Sequence, residues 1–343
     1  MKTVRLMMVG FGNVGQGMLQ ILRDEASTFE DHFDVRFSIV AVNDMRLGSL
    51  YEPDGLPVQD LLDATAAGDL NKVPALQRNW TVERMLAEAQ ADTLVEASFT
   101  DLQTGEPALT YIRRALMSGK HVVTTNKGPI ALHFHDLHSL AQENKVRIGF
   151  EGTVMSGTPS LALGMKLLSA AGIQRIQGIF NGTTNFILSH METGCSYSEA
   201  LAEAQALGYA EADPTGDVEG FDAAGKVVIL SNLVLGASLN MASVARKGIT
   251  QLTPQDIQAA KLEGKRWKLI GTIEYIGDQI KASVQPIALS VDHPLANVGG
   301  ATNAITYTTR LLGDVTLIGA GAGRLETGYA LINDLLAIHS NVA

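Results

Sequence analysis

The run Val4-Arg5-Leu6-Met7-Met8-Val9 has the apolar character of a buried strand, and Gly10-Phe11-Gly12-Asn13-Val14-Gly15 follows it without a gap. Residues 16–25 then carry helical spacing. A Gly-x-Gly-x-x-Gly motif is weak alone, but set between a strand and a helix it restricts the first half of the chain to a dinucleotide-binding fold. The first glycine makes the tight turn, the second lets the backbone approach a pyrophosphate, and the third permits close packing of helix on strand. The helix N-terminus adds unpaired N–H groups and positive potential. Gly10, Phe11, Gly12, Asn13, Val14 and Gly15 are therefore candidate cofactor-binding residues, with a purely structural glycine turn as the competing reading.

A second apolar segment, residues 37–42, ends in Asn43-Asp44-Met45-Arg46. An acid at that position would accept from the adenosine ribose hydroxyls, although Asp44 lies further from the glycines than the usual ~20 residues, so the first helix or its loop must be longer. Arg46 can stack on adenine or hold a 2′-phosphate, which leaves both NAD and NADP open, NAD being favoured. A capping Asp44 and a solvated Arg46 are the alternative. Residues 47–82 show no chemistry. Strand patterns at 93–98, 121–125 and 146–150, with a helix at 107–118, continue the alternation. The expectation is an α/β fold: a Rossmann-type doubly wound parallel sheet, whose ligands sit at the carboxyl ends of the strands. Ser98 and Lys127 fall at such ends, Lys127 facing either the nicotinamide or the substrate. His133, His135 and His138 do not share one helical face, so a metal site there is not expected.

A chain of 343 residues has room for two domains. A net charge of −10 argues against nucleic acid or an anionic membrane surface as partner. The single Cys195 excludes an internal disulfide framework. With neither a basic leader nor an apolar run of the ~18–20 residues needed to span a bilayer, a cytoplasmic protein acting on a small molecule is expected.

The boundary between the domains is placed at 148/149. Beyond it comes the loop Glu151-Gly152-Thr153-Val154-Met155-Ser156-Gly157-Thr158-Pro159, then a half-buried strand at 173–180. Asn181-Gly182-Thr183-Thr184 turns that strand into a helix at 185–192, and Ser198 caps the next helix. The stretch 211–226 holds five carboxylates (Glu211, Asp213, Asp217, Glu219, Asp222) and one lysine, Lys226, and runs into an apolar helix at 222–235. Ions beside a core need partners, and in a cleft their pKa values move, so this cluster is a candidate site on physical grounds. A macrodipole-decorated helix start is the bland alternative. Strand patterns at 266–274, 279–288, 298–308 and 312–318 build a second α+β domain, 149–319. Gly319-Ala320-Gly321-Ala322-Gly323 then opens a last helix, 327–338, expected to return to the first domain, with Gly321 a candidate for the cofactor.

These residues together resemble the homoserine dehydrogenases. The likeness is carried by the Gly10 to Gly15 loop, His121-Val122-Val123-Thr124-Thr125-Asn126-Lys127, residues 151–159, Asn181-Gly182-Thr183-Thr184-Asn185-Phe186-Ile187-Leu188, the stretch 207–226 and residues 319–334. The resemblance covers nearly the whole chain, and it implies NAD(P)-dependent interconversion of L-homoserine and L-aspartate 4-semialdehyde. It also implies that Lys226 is the acid/base, that Glu211 and Asp222 bind substrate, and that Lys127 and Ser98 contact the cofactor. A structural monovalent cation, usually sodium, falls to Glu151, Val154, Ser156 and Thr158, mostly through backbone carbonyls. A homodimer, formed by the second domain, is implied as well. Glu326 and Gly328 depart from the family's proline and alanine. Many relatives carry a further regulatory ACT domain for which this chain has no room, so threonine feedback through one is not expected.

Reducing an aldehyde requires a hydride on one face of the carbonyl and a proton at its oxygen, and a lysine ammonium supplies the second. Asp222 and Asp217 would then position Lys226 and the reacting hydroxyl, Glu211 would meet the substrate ammonium, and the N–H groups around Gly182 and Thr183 its carboxylate. Lys127 is a further candidate for the substrate. Two rivals stand beside this reading. A semialdehyde dehydrogenase needs a cysteine nucleophile, for which only Cys195 is present. A non-catalytic dinucleotide sensor has no need of Lys226 and its acids.

Overall fold

The computed structural model describes residues 1–340 and separates the chain into two compact units, Met1–Gly157 with the segment from Gly323 onward, and Thr158–Ala322. The chain leaves the first unit at Gly157 and re-enters it at Gly323; the sequence reading put these crossings at 148/149 and 319/320. The loop after residue 149 stays with the first unit because the last helix, Arg324–His339, ties it down. There the Glu151 N–H donates to Asp334 Oδ2 (2.9 Å), and the hydroxyls of Ser156 and Thr327 share a 2.7 Å bond.

The first unit holds strands β1 (Lys2–Val9), β2 (Val35–Asp44), β3 (Gly48–Tyr51), β4 (Gln77–Arg78), β5 (Thr93–Glu96), β6 (His121–Thr124) and β7 (Ile148–Gly149), in sheet order β4-β3-β2-β1-β5-β6-β7. Strands β2, β1, β5, β6 and β7 pair in parallel. Strands β3 and β4 are antiparallel and extend the doubly wound parallel sheet at one edge. The three residues between β2 and β3 are too few for a crossover, so the chain can only return as a hairpin. Strand β1 lies at the centre, with Leu6, Met7 and Met8 fully buried, as a parallel strand covered on both faces requires. Its neighbours β2 and β5 lie on opposite sides, which makes the β1/β5 junction the point where the winding reverses. Between the glycine loop and β2 the chain forms two helices, Asn13–Asp24 and Ala26–Phe33, and the second of them accounts for the extra distance to Asp44.

The last helix joins this unit's core through Leu331, Ile332, Leu335 and Ile338, one face at helical spacing. Its backbone packs directly on the first helix. A β-carbon on Gly17 would fall 1.9 Å from the Arg324 carbonyl oxygen, and one on Gly328 2.4 Å from Met18 N, so the glycine at 328 is what this crossing needs.

The second unit has strands β8 (Ile173–Ile179), β9 (Val244–Arg246), β10 (Lys265–Ile276), β11 (Gln279–Ser290), β12 (Thr302–Thr309) and β13 (Gly313–Ala320), ordered β13-β12-β8-β10-β11-β9. Its pairings are antiparallel except that of β9 with β11. The helix Phe221–Val234 is buried continuously from Ala223 to Asn232, which explains its all-round apolar sequence. Two helix starts differ from expectation. Asn181, not a residue near 185, caps the helix Gly182–Met191 by accepting the Thr184 N–H. Ser196, not Ser198, caps Tyr197–Ala206 in a reciprocal box with Glu199.

Candidate active site

The glycine loop is held from two sides. Gly10 has φ +88, and a β-carbon there would meet the Ala97 carbonyl oxygen at 2.4 Å, so only glycine allows this close passage of the β1 and β5 ends. Gly12 caps the helix Asn13–Asp24 without a side-chain bond, and the space a β-carbon would fill is open. That exposed cradle of main-chain N–H groups fits a phosphate, so the loop suits a dinucleotide. Asn13 and Val14 begin the helix, and Gly15 packs within 2.9 Å of the Gly10 carbonyl oxygen as measured from its would-be β-carbon. The Phe11 side chain is buried, while its N–H donates to Asp44 Oδ2 at 2.9 Å. Asp44 Oδ1 takes the N–H groups of Arg46 and Leu47, so this carboxylate braces the loop and the turn after β2, and Arg46 remains exposed. Ser98 follows β5, and Lys127 opens the helix Lys127–Glu143, capped by Asn126.

In the second unit Lys226 is 7 % exposed. Its Nζ donates to the Phe180 carbonyl oxygen (2.5 Å) and to Asp222 Oδ2 (2.7 Å). Asn181 Nδ2 donates to Asp217 Oδ1 (2.6 Å) and to Asp222 Oδ2 (3.0 Å), so one carboxamide links both carboxylates while its oxygen caps the helix. Burial pushes the Asp217 carboxyl above its ordinary range, and the negative charge of Asp222 pushes it further the same way. The arrangement is a fixed ammonium between a carbonyl and a carboxylate, with a second carboxyl joined to that carboxylate through Asn181. Gly182 and Thr183 are the first two residues of their helix, where N–H groups have no intrahelical acceptor. The Thr183 hydroxyl donates to the Tyr209 carbonyl at 2.5 Å.

The remaining candidates have hydrogen-bond partners of their own. Glu211 is exposed, and its backbone carbonyl accepts from Gln205 Nε2. Asp213 accepts the Thr215 N–H in a local turn. Glu219 takes the Thr250 hydroxyl at 2.8 Å and so ties the loop after β9 to the acidic stretch. Gly321 belongs to the second unit, where a β-carbon would strike the Asn303 carboxamide. Glu151 is buried, and Met155 and Ser156 both adopt left-handed backbone (φ 57 and 56). Thr158 donates to the Ala320 carbonyl oxygen at 3.0 Å in the second unit. Cys195 Sγ meets the His190 carbonyl oxygen in a turn after the helix Gly182–Met191.

Asn181 was missing from the expected site residues. The signal for it was the Asn-Gly-Thr-Thr order, an N-cap pattern that puts its side chain at the helix mouth. The Phe180 carbonyl carries no such signal, since any residue type supplies one.

A glycine-loop crevice at a winding reversal and, in a separate unit, a buried lysine beside carboxylates define a nicotinamide-dependent oxidoreductase. The chain matches the family model described as homoserine dehydrogenase, NAD binding domain, over residues 10–151, and that described as homoserine dehydrogenase over 159–336. It is 45 % identical over 343 residues to the NAD(+)-dependent homoserine dehydrogenase of Pseudomonas canavaninivorans, covering 99 % of this chain and 97 % of the relative. A homoserine dehydrogenase structure from Thiobacillus denitrificans superposes with TM-score 0.86 at 33 % identity, over 98 % of this chain and 73 % of that one. A hyperthermophilic archaeal homoserine dehydrogenase in complex with NADPH gives TM-score 0.83 at 28 % identity, over 98 % of both chains. The chain belongs to the homoserine dehydrogenase family, and it is an NAD(P)-dependent oxidoreductase acting on a CH–OH group.

Proposed function

We propose that Lys226 moves the proton in the interconversion of L-homoserine and L-aspartate 4-semialdehyde, with Asp222, Asp217 and Asn181 holding it in place. The observation that carries this reading is the buried Nζ set between the Phe180 carbonyl and Asp222. An ammonium has three N–H donors; two are spent there, and the third is left for the substrate oxygen. In the reducing direction the ammonium gives its proton to the aldehyde oxygen as the carbonyl carbon gains hydride. In the oxidising direction the neutral amine takes the hydroxyl proton as the same carbon loses hydride. The nicotinamide, when bound, supplies the hydride donor or acceptor. Asp222 stabilises the ammonium, and Asn181 keeps both carboxylates aimed at one place. Glu211 receives the substrate ammonium, while the first N–H groups at Gly182 and Thr183 receive its carboxylate.

The dinucleotide is held by the Gly10 to Gly15 loop with Asp44, Ser98 and Lys127. NAD is preferred over NADP because the Asp44 carboxylate repels a 2′-phosphate. The buried Glu151 carboxylate and the fixed carbonyls of the 151–158 loop are the hard oxygens that a sodium ion takes. The protein works in the cytoplasm as a homodimer. Incubating it with homoserine and either dinucleotide, and following absorbance of the reduced nicotinamide, tests the reading. Formation with NAD faster than with NADP is expected; no formation with either would overturn it.

A further inference from the structure

We infer that Glu96 is a positioning residue for dinucleotide binding: its buried carboxyl sets the Ser98 hydroxyl and the turn that leads into Lys127. This rests on the reading of Ser98 and Lys127 as cofactor residues, and it concerns a residue that faces neither solvent nor the Lys226 cluster's own hydrogen bonds.

Strand β5 is buried at all four positions, and a glutamate at its end is an expensive choice there unless the carboxyl is hydrogen-bonded. Glu96 is fully buried. Its Oε1 accepts the Ser98 N–H at 2.9 Å and also the Ser98 hydroxyl. Its Oε2 accepts the Thr124 hydroxyl at 2.9 Å. In register Glu96 stands opposite Val9 at the end of β1 and Thr124 at the end of β6. It therefore lies at the row of strand ends from which the three loops of the crevice depart.

The bonds close into a ring. The Asn126 N–H donates to Thr124 Oγ1 (3.0 Å), and Asn126 Nδ2 donates to the Phe99 carbonyl (2.8 Å), which brings the loop after β6 back onto the loop after β5. Asn126 Oδ1 then accepts the Gly128 N–H and caps the helix that Lys127 opens. On the other side a β-carbon on Gly10 would fall 2.6 Å from Ser98 N, so the stretch that Glu96 grips is the one packed against the glycine loop. Burial pushes the Glu96 carboxyl up from its ordinary value. Its neutral donors are matched to an acceptor, which an apolar or smaller residue at this position would not provide.

The test is direct titration of the cofactor-free protein with NADH by fluorescence, alongside steady-state kinetics, for Glu96→Ala, Glu96→Gln, Ser98→Ala and the Glu96→Ala/Ser98→Ala double variant. Loss of a buried hydrogen-bonded acceptor should weaken NADH binding about 10-fold in Glu96→Ala. Glu96→Gln keeps one acceptor oxygen for Ser98 and should show a smaller loss. KM for homoserine at saturating dinucleotide should stay within about twofold, because the Lys226 cluster is untouched. The two sites should be coupled: Ser98→Ala should add little in the Glu96→Ala background. If Ser98→Ala weakens NADH binding and neither Glu96 variant does, the inference is overturned while the Ser98 reading stands. If Ser98→Ala leaves binding unchanged, the Ser98 reading itself fails. Equal losses for dinucleotide and homoserine would make Glu96 a general structural residue and also overturn the inference. Should Glu96→Ala fail to fold by circular dichroism, Glu96→Gln decides on the same titration.

Discussion

Lys226 Nζ lies 2.7 Å from Asp222 Oδ2, one turn along the same face of the helix Phe221–Val234. Spacing of four residues puts the two side chains together, but it is burial that gives the pair its consequence. Removing Asp222 would leave the Lys226 ammonium, its side chain 9 % exposed, without its counter-ion, which is costly where little water reaches.

Lys226→Ala should lower kcat by about 10²–10⁴-fold, the range that one positioned acid/base contributes. Dinucleotide affinity should be unchanged, since the Gly10 to Gly15 loop lies in the other unit. Steady-state kinetics and a binding titration check both halves. Turnover close to that of the unmodified enzyme would remove Lys226 from the mechanism.

Asp217→Asn should raise thermal stability at neutral pH. The carboxyl's pKa is held above 3.8 by burial and by Asp222, so the folded state binds more protons than the unfolded state just above that value. Stability contributed by Asp217 is thus present below pH 3.8 and lost as pH rises through the folded value. Asparagine keeps an acceptor for Asn181 and never ionises. Melting curves across pH should show its advantage at pH 7 and none below 3.8.

Lys268 is 1 % exposed and donates to the Val298 carbonyl (2.7 Å) and Asn185 Oδ1 (3.0 Å), with burial lowering its pKa from 10.5 to about 8. Between those values the unfolded state binds more protons, so this residue makes stability rise with pH. The displacement corresponds to on the order of 3 kcal/mol. Denaturant unfolding from pH 8 to 10.5 should show that gain in the unmodified protein relative to Lys268→Met. Parallel curves for the two would refute the assignment.

His339 fixes the last helix by bonding Thr93 Oγ1 (2.7 Å) through Nε2 and taking the Lys2 ammonium (3.2 Å) at Nδ1. Burial first, then the charges of Lys2 and the neighbouring His121 and Arg147, lower its pKa from 6.5 to about 4, against a smaller opposing pull from Asp92. Its stabilisation is complete above pH 6.5 and is lost as pH falls towards 4. His339→Gln should flatten that part of the acid unfolding curve, by on the order of 3 kcal/mol. An acid limb identical to that of the unmodified chain would count against this account.

The glycine loop was legible because strand, turn and helix are consecutive, and its three glycines keep the spacing of the motif; Gly10 and Gly15 leave no room for a β-carbon, while the space at Gly12 stays open. Asp222 and Lys226 were legible for the same kind of reason, since a helical repeat puts them on one face. Asn181 was hidden by the misplaced helix start: with the helix begun at 185 the asparagine is only a turn residue, whereas as N-cap its side chain sits at the helix mouth beside Asp217 and Asp222. Antiparallel β3 escaped notice because residues 47–82 lack strong periodicity, and the short turn after Asp44 shows itself only once β2 is known to extend that far.

Local order along the chain was therefore enough to define the dinucleotide-binding half and to single out the acidic stretch with its lysine, because those features depend on neighbours a few residues apart. Which partners the ions meet was decided by tertiary structure. The Phe180 carbonyl reaches Lys226 across 46 residues, Asn181 reaches Asp222 across 41, and Thr124 reaches Glu96 across 28. The physical reason is that a hydrogen bond depends on the positions two groups take after their elements have packed, and a main-chain carbonyl has no signature in the sequence to announce it.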